Sequence, residues 1–246
     1  MNRIAVSYLR DVDGYHRFVT ALSDSEQKHR IIVWDIEPDT GRIHRRGTAV
    51  GGVVGEVSLT VLNASLSLSA PSLIVTAVTD VENNLWTRVW KIDRAGNVSF
   101  GAGVGAGRIS QVGVERASSS IIVAAVRESS GQLKMISYKV GTGGDSIERR
   151  GDYLLPGRVG VMSMCRTNNM GIYTAVENSD KYLEMHKWSV FDDGRDIRLD
   201  DASRPRIQID RVACAGNSSI NVVSARNIQR SVDLGSNNLS VVPYLP

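Results

Sequence analysis

The chain is poor in the residue types that usually carry chemistry. Its 246 residues include two cysteines and four histidines. The histidines (His16, His29, His44 and His186) are scattered, and no Cys/His pair has the spacing of a zinc site. Neither a metal nor a cofactor is therefore expected. Cys165 and Cys214 are read as two small buried apolar residues rather than as a disulfide framework. No apolar run approaches the roughly 18 residues of a membrane helix. With a net charge of +3 and no Lys/Arg run of five, the chain also lacks a nucleic-acid stripe. Met1-Asn2-Arg3-Ile4 lacks the charged segment and apolar core of a signal peptide, which favours the cytoplasm. No stretch shows sustained 3.6-residue periodicity, so helix is expected to be nearly absent.

What is present is a repeat. One opening recurs about every fifty residues: Arg3-Ile4-Ala5, Glu56-Val57-Ser58, Arg108-Ile109-Ser110, Arg158-Val159-Gly160 and Arg206-Ile207-Gln208. Each unit reads as four strands, A to D. Strand B is continuously apolar and β-branched, as in Ile74-Val75-Thr76-Ala77-Val78 and Ile122-Val123-Ala124-Ala125-Val126. Strand C carries an aromatic (Trp34, Trp90, Tyr138, Trp188), and strand D is the most polar. Burial should fall from B to D. In the short fifth unit, Arg230–Leu234 and Leu239–Tyr244 are read as C and D.

A period near fifty with this strand order resembles the five-bladed β-propellers, a group that includes tachylectin-type lectins and several glycosidase families. The resemblance implies an all-β, single-domain five-bladed β-propeller. It has four antiparallel strands per blade, each blade from one contiguous segment (about 2–54, 55–106, 107–156, 157–204 and 205–246). Glycosidases of this shape place three carboxylates along inner strands. Here only Glu56, Glu115 and Asp210 are available, at unequal depths, which speaks against that activity.

The second position of strand A (Ile4, Val57, Ile109, Val159, Ile207) is uniformly apolar and should pack on a neighbouring blade. The first position would set Arg3, Arg108, Arg158 and Arg206, with Glu56, around the mouth of a central channel. A guanidinium fork suits carboxylate, phosphate or sulfate, so this mouth is the candidate site for a polar or anionic small molecule or a glycan. Two readings stay open, because strand B ends in an acid or amide in every unit (Asp24, Asp80, Glu128, Asn178, Asn227). The arginines either face a ligand or simply pair with these groups. As an alternative, Asp24, Asp80 or Glu128 would serve as acid or base of a lyase, cyclase or hydrolase. Trp86 stands where other units carry Arg30, Lys134 and Glu184, and either stacks on a sugar or packs against a neighbouring blade.

The glycine-rich stretch from Gly101 to Gly107 is read as a loop crossing from rim to axis. With Gly51, Gly52 and Gly55 it would leave that side of the mouth open. A lectin with one site in each blade is disfavoured because non-core positions vary between units. A protein-interaction platform stays open by analogy alone. Neither a nucleic-acid nor a membrane partner is expected, and the pattern leaves oligomeric state open.

Overall fold

The computed structural model describes residues 4–65, 70–167, 171–216, 220–228 and 236–244. Among them are eighteen strands and no α-helix, only a 3-10 turn at Asp192–Gly194. The first sheet is β1 (Ile4–Val12), β2 (Tyr15–Ser23), β3 (Lys28–Ile36) and β4 (Ile43–Val53), antiparallel in sequence order. A seven-stranded sheet follows: β5 (Val57–Asn63), β6 (Ser72–Thr79), β7 (Asn84–Ile92), β8 (Val98–Arg116), β9 (Ile121–Glu128), β10 (Leu133–Val140) and β11 (Ile147–Leu154). Then come the four strands β12 (Val159–Arg166), β13 (Ile172–Asn178), β14 (Leu183–Phe191) and β15 (Asp196–Ser203). A three-stranded sheet of β16 (Arg211–Gly216), β17 (Ile220–Ile228) and β18 (Ser236–Tyr244) ends the described chain.

Two expectations about strand boundaries are corrected. The glycine-rich stretch is no loop: it lies within the 19-residue β8. Up to Arg108 this strand pairs with β7, and from Ile109 with β9, so the second and third units share one continuous sheet. Glycine permits this because the strand must leave one partner and take up another without side chains in the way. In the last unit the segment expected as strand D, now β18, pairs directly with β17. The segment expected as strand C there, Arg230–Leu234, lies outside the described residues.

Inner strands β1, β5, β8, β12 and β16 pack side by side in that order. Side chains stitch them to their neighbours' backbones. Ser58 Oγ accepts from Val114 N, Gln111 Oε1 from Met162 N and Ser163 Oγ from Cys214 N, each at 3.0 Å. The outer strands meet at glycines. A Cβ on Gly47, Gly101 or Gly151 would lie 2.1–2.5 Å from a carbonyl in the next unit's C–D turn, at Gly96, Gly144 and Arg195. Identical junctions repeated between successive sheets turn the chain the same way each time, the geometry of radial repetition.

Burial follows the expected gradient. Strand β6 is buried throughout, whereas β4 is exposed or half-buried along its length. Trp90, Tyr138 and Trp188 are core residues at 3%, 0% and 1% exposure. Where strand B offers a threonine, the indole uses it: Trp34, Trp90 and Trp188 donate to Thr20, Thr76 and Thr174, all at 3.0 Å. In the apolar column Val57, Ile109 and Val159 are buried, but Ile4 is 63% exposed. The first sheet has no preceding sheet over that face among the described residues.

A third correction concerns the cysteines. Cys165 and Cys214 form a disulfide across a Cα–Cα distance of 5.5 Å. They occupy equivalent places on β12 and β16, and adjacent units set those strands side by side. This bond belongs to oxidising compartments, so the cytoplasmic expectation is not supported. Among the described residues no helix is long and apolar enough to cross a membrane.

Candidate functional site

Two of the acids that end strand B, Asp24 and Asp80, hold the backbone of their own turns. Asp24 Oδ1 accepts from the backbone N–H of Glu26 and Lys28, and Asp80 Oδ1 from Glu82 and Asn84, all at 2.8–2.9 Å. Asn178 does the same for Asp180 and Tyr182. These are Asx turns, closed by a left-handed residue three places on: Gln27, Asn83 or Lys181; Gly131 holds the same place after Glu128. Arg30 beside Asp24 holds that carboxyl below its ordinary range. Burial pushes Asp80 up, but hydrogen bonds from Asn84, Trp86 and Glu82 outweigh it and lower its pKa. Glu128 pairs with Lys134 at 3.4 Å. Asp24, Asp80 and Glu128 are thus committed to turns and ion pairs rather than aimed into a common space.

The arginines fall into different registers. In three places the turn's left-handed residue accepts, through its carbonyl, from the start of the next inner strand. Asn83 accepts from Ile109, Gly131 from Val159 and Lys181 from Ile209. Arg108 and Arg158 directly precede their bonded residues, whereas Gln208, not Arg206, precedes Ile209. Glu56 is half-buried and donates its backbone N–H to Thr79 Oγ1. Arg108, Arg158 and Arg206 are exposed, and Arg3 lies outside the described residues.

Arg108 and Glu128 line one cavity of about 250 Å³ with Lys134 and Arg149. A larger concave space, with aromatic walls, lies at the junction of the first and second sheets. A cavity of about 460 Å³ opens between the end of β4 and the C and D strands of the next unit, a size suited to a small ligand. Gly51 and Gly52 line one side. Trp86, Phe100 and Val50 form partly exposed walls, 38%, 57% and 52% accessible, and Trp90 lies at the back. Trp90 meets Phe100 and His29 edge-on, with ring centroids 5.6 and 5.4 Å apart. Trp86 is fixed by its Nε1–H, which donates to Asp80 Oδ2 at 3.1 Å. Glycines make the room: Gly103 faces Phe100 and Arg88, and Gly105 faces the Trp86 ring.

Arg88 is the polar element. Its Nη1 donates to His29 Nδ1 over a long 3.4 Å. Burial lowers the Arg88 pKa, with Asp80 opposing. Burial, and then the Arg88 charge, push His29 down to about 3, so it stays neutral. The arrangement offers aromatic faces and guanidinium donors, with no acid or base among its described lining. That is equipment for holding a ligand.

Among the described residues, Trp86 is the one expected site residue here. Arg88, Phe100 and the wall-forming role of Trp90 went unread. A signal existed: Arg88 occupies a strand-C position held by Ile32, Ile136 and His186 in the other sheets.

The sequence matches no protein-family profile and no curated protein. Solved structures do match in shape. A mutant Aleuria aurantia lectin bound to Fucα1-6GlcNAc superposes with a TM-score of 0.56 at 10% identity, covering 100% of this chain and 79% of that one. The SapL1 lectin bound to α-methyl fucoside gives 0.52 at 14%, covering 98% and 79%. A triple arginine mutant of AofleA from Arthrobotrys oligospora gives 0.52 at 11%, covering 99% and 83%. The chain has a β-propeller fold. At such low identity the likeness extends to architecture alone.

Proposed function

We propose that this β-propeller, built of five repeats, binds a carbohydrate in the pocket between its first and second sheets. The observation that carries the reading is the conjunction of Trp86, Phe100 and Trp90 with Arg88 in one cavity. Sugar rings present C–H faces that lie against aromatic rings, and hydroxyl oxygens that accept from a guanidinium. Structural neighbours solved with fucosides support the same class of ligand, and the disulfide fits a protein working where glycans are displayed.

Titrating the full chain with simple methyl glycosides, while following tryptophan fluorescence and heat, tests it. Saturable binding is expected with at least one glycoside. Trp86→Ala should weaken that binding about tenfold by removing a stacking surface worth roughly 1 kcal/mol and more. If no glycoside binds, or Trp86→Ala leaves affinity unchanged, the pocket is not a sugar site.

A further inference from the structure

The groups at the base of the pocket are out of character for a junction between sheets. Register places His29 where the following units have Leu85, Leu133 and Leu183, all four fully buried. It places Arg88 where the first and third units have Ile32 and Ile136. Two polar side chains thus stand in columns that are otherwise aliphatic or, in the fourth unit, filled by a paired histidine. Burying them opposes folding unless they are matched.

The same junction matches two of its other guanidinium groups to a carboxylate. Arg17 donates to both oxygens of Asp35, at 2.7 and 2.9 Å, and Arg46 shares that carboxylate at 2.7 Å. Arg88 has no carboxylate within ion-pair distance among the described residues, and His29 is its one hydrogen-bond partner. Because Nδ1 of His29 accepts, its proton sits on Nε2 and the ring adds no charge. Asp80, whose field reaches Arg88, is committed through its oxygens to Glu82, Asn84 and Trp86. The pocket therefore presents a full positive charge, with Nε and Nη2 unclaimed by any described residue.

We propose that the pocket selects an acidic sugar, whose carboxylate or sulfate pairs with Arg88 while its ring lies against Trp86. The proposal rests on the carbohydrate reading above and narrows it. A neutral sugar can offer only separate hydroxyls to the fork. A carboxylate or sulfate accepts two parallel N–H bonds and neutralises the charge as well.

Calorimetry on the full chain with matched glycosides decides it. The pairs are methyl β-D-glucuronide against methyl β-D-glucoside, and methyl 6-sulfo-β-D-galactoside against methyl β-D-galactoside, with methyl α-L-fucoside as a further neutral probe. In at least one pair the acidic member should bind roughly tenfold or more tighter, the size of a charge-assisted hydrogen bond. Which pair responds separates carboxylate from sulfate. Arg88→Gln should weaken both members of that pair, the acidic one by roughly tenfold more, and so bring them level. Arg88→Lys, which keeps the charge without the fork, should fall between and guards against a folding defect in the first variant. If neutral glycosides bind and the acidic partners bind no better, the selectivity is wrong and the carbohydrate reading stands. If none binds, both fall together.

Discussion

The first junction and the third are built to one plan, yet one is hollow and the other filled. Gly47 and Gly151 make the same close approach to the next unit, which aligns the residues that follow them. Ala49 and Gly51 at the first junction thus correspond to Tyr153 and Leu155 at the third. Tyr153 lies edge-on over Trp188, centroids 5.5 Å apart, and Leu155 packs into the same cluster. On the other wall, Gly105 opposite Trp86 corresponds to Arg204, which pairs with Glu184 at 3.1 Å. Glu184 also holds the buried His186 at 2.9 Å. Where the first junction offers an unmatched guanidinium, the third closes its polar groups on one another. Between these two junctions the difference is that small residues retreat from both walls of the first.

Four perturbations break or sharpen this contrast. The largest concerns the solid side, where Cys165–Cys214 staples the fourth unit to the fifth across 49 residues. By loop-closure entropy, Cys214→Ser should lower stability by about 4 kcal/mol, a fall in melting temperature of roughly 10 °C. Ligand affinity at the first junction should not change.

Next comes Glu115, on the inner strand between the two regions, where Thr60 donates to it at 3.2 Å. Burial pushes its carboxyl from 4.5 up to about 7. Between those values the folded state holds a proton that the unfolded chain releases, so stability falls as pH rises through that window. The loss reaches at most about 3 kcal/mol. Denaturant titrations at pH 5 and pH 8 should show it, and Glu115→Gln should flatten the slope.

Copying the solid junction onto the hollow one is the third. Ala49→Tyr with Gly51→Leu should abolish glycoside binding. A Cβ at Gly51 would already lie 3.0 Å from Arg88 Nη1. A double variant that still bound sugar would place the site elsewhere. The smallest effect is expected from Asp80→Asn, which presents an amide where the Trp86 N–H needs an acceptor. Affinity should drop a few-fold, in line with one neutral hydrogen bond of about 1 kcal/mol.

Much of the architecture was legible because it is periodic. The apolar run of strand B, the aromatic of strand C and the turn acids recur in equivalent places, and each reports a local requirement that repeats with the unit. The errors came where neighbouring units meet. Gly101 to Gly107 looks like a loop in one dimension, and only pairing with β7 makes it a strand. Cys165 and Cys214, a full repeat apart, meet because radial stacking sets equivalent strands side by side. The arginine openings look equivalent by spacing, but register separates Arg206 from Arg108 and Arg158.

The amino-acid order by itself determined the strand type, the repeat length and which residues are core, since alternation and β-branching act over a few residues. Only tertiary structure decided where the pocket lies. Its walls come from Gly51 and Gly52 on one sheet and Trp86, Arg88 and Phe100 on the next, and a cavity is a property of two surfaces that fail to touch. No single stretch of chain encodes that failure; it exists only once the two sheets are packed together.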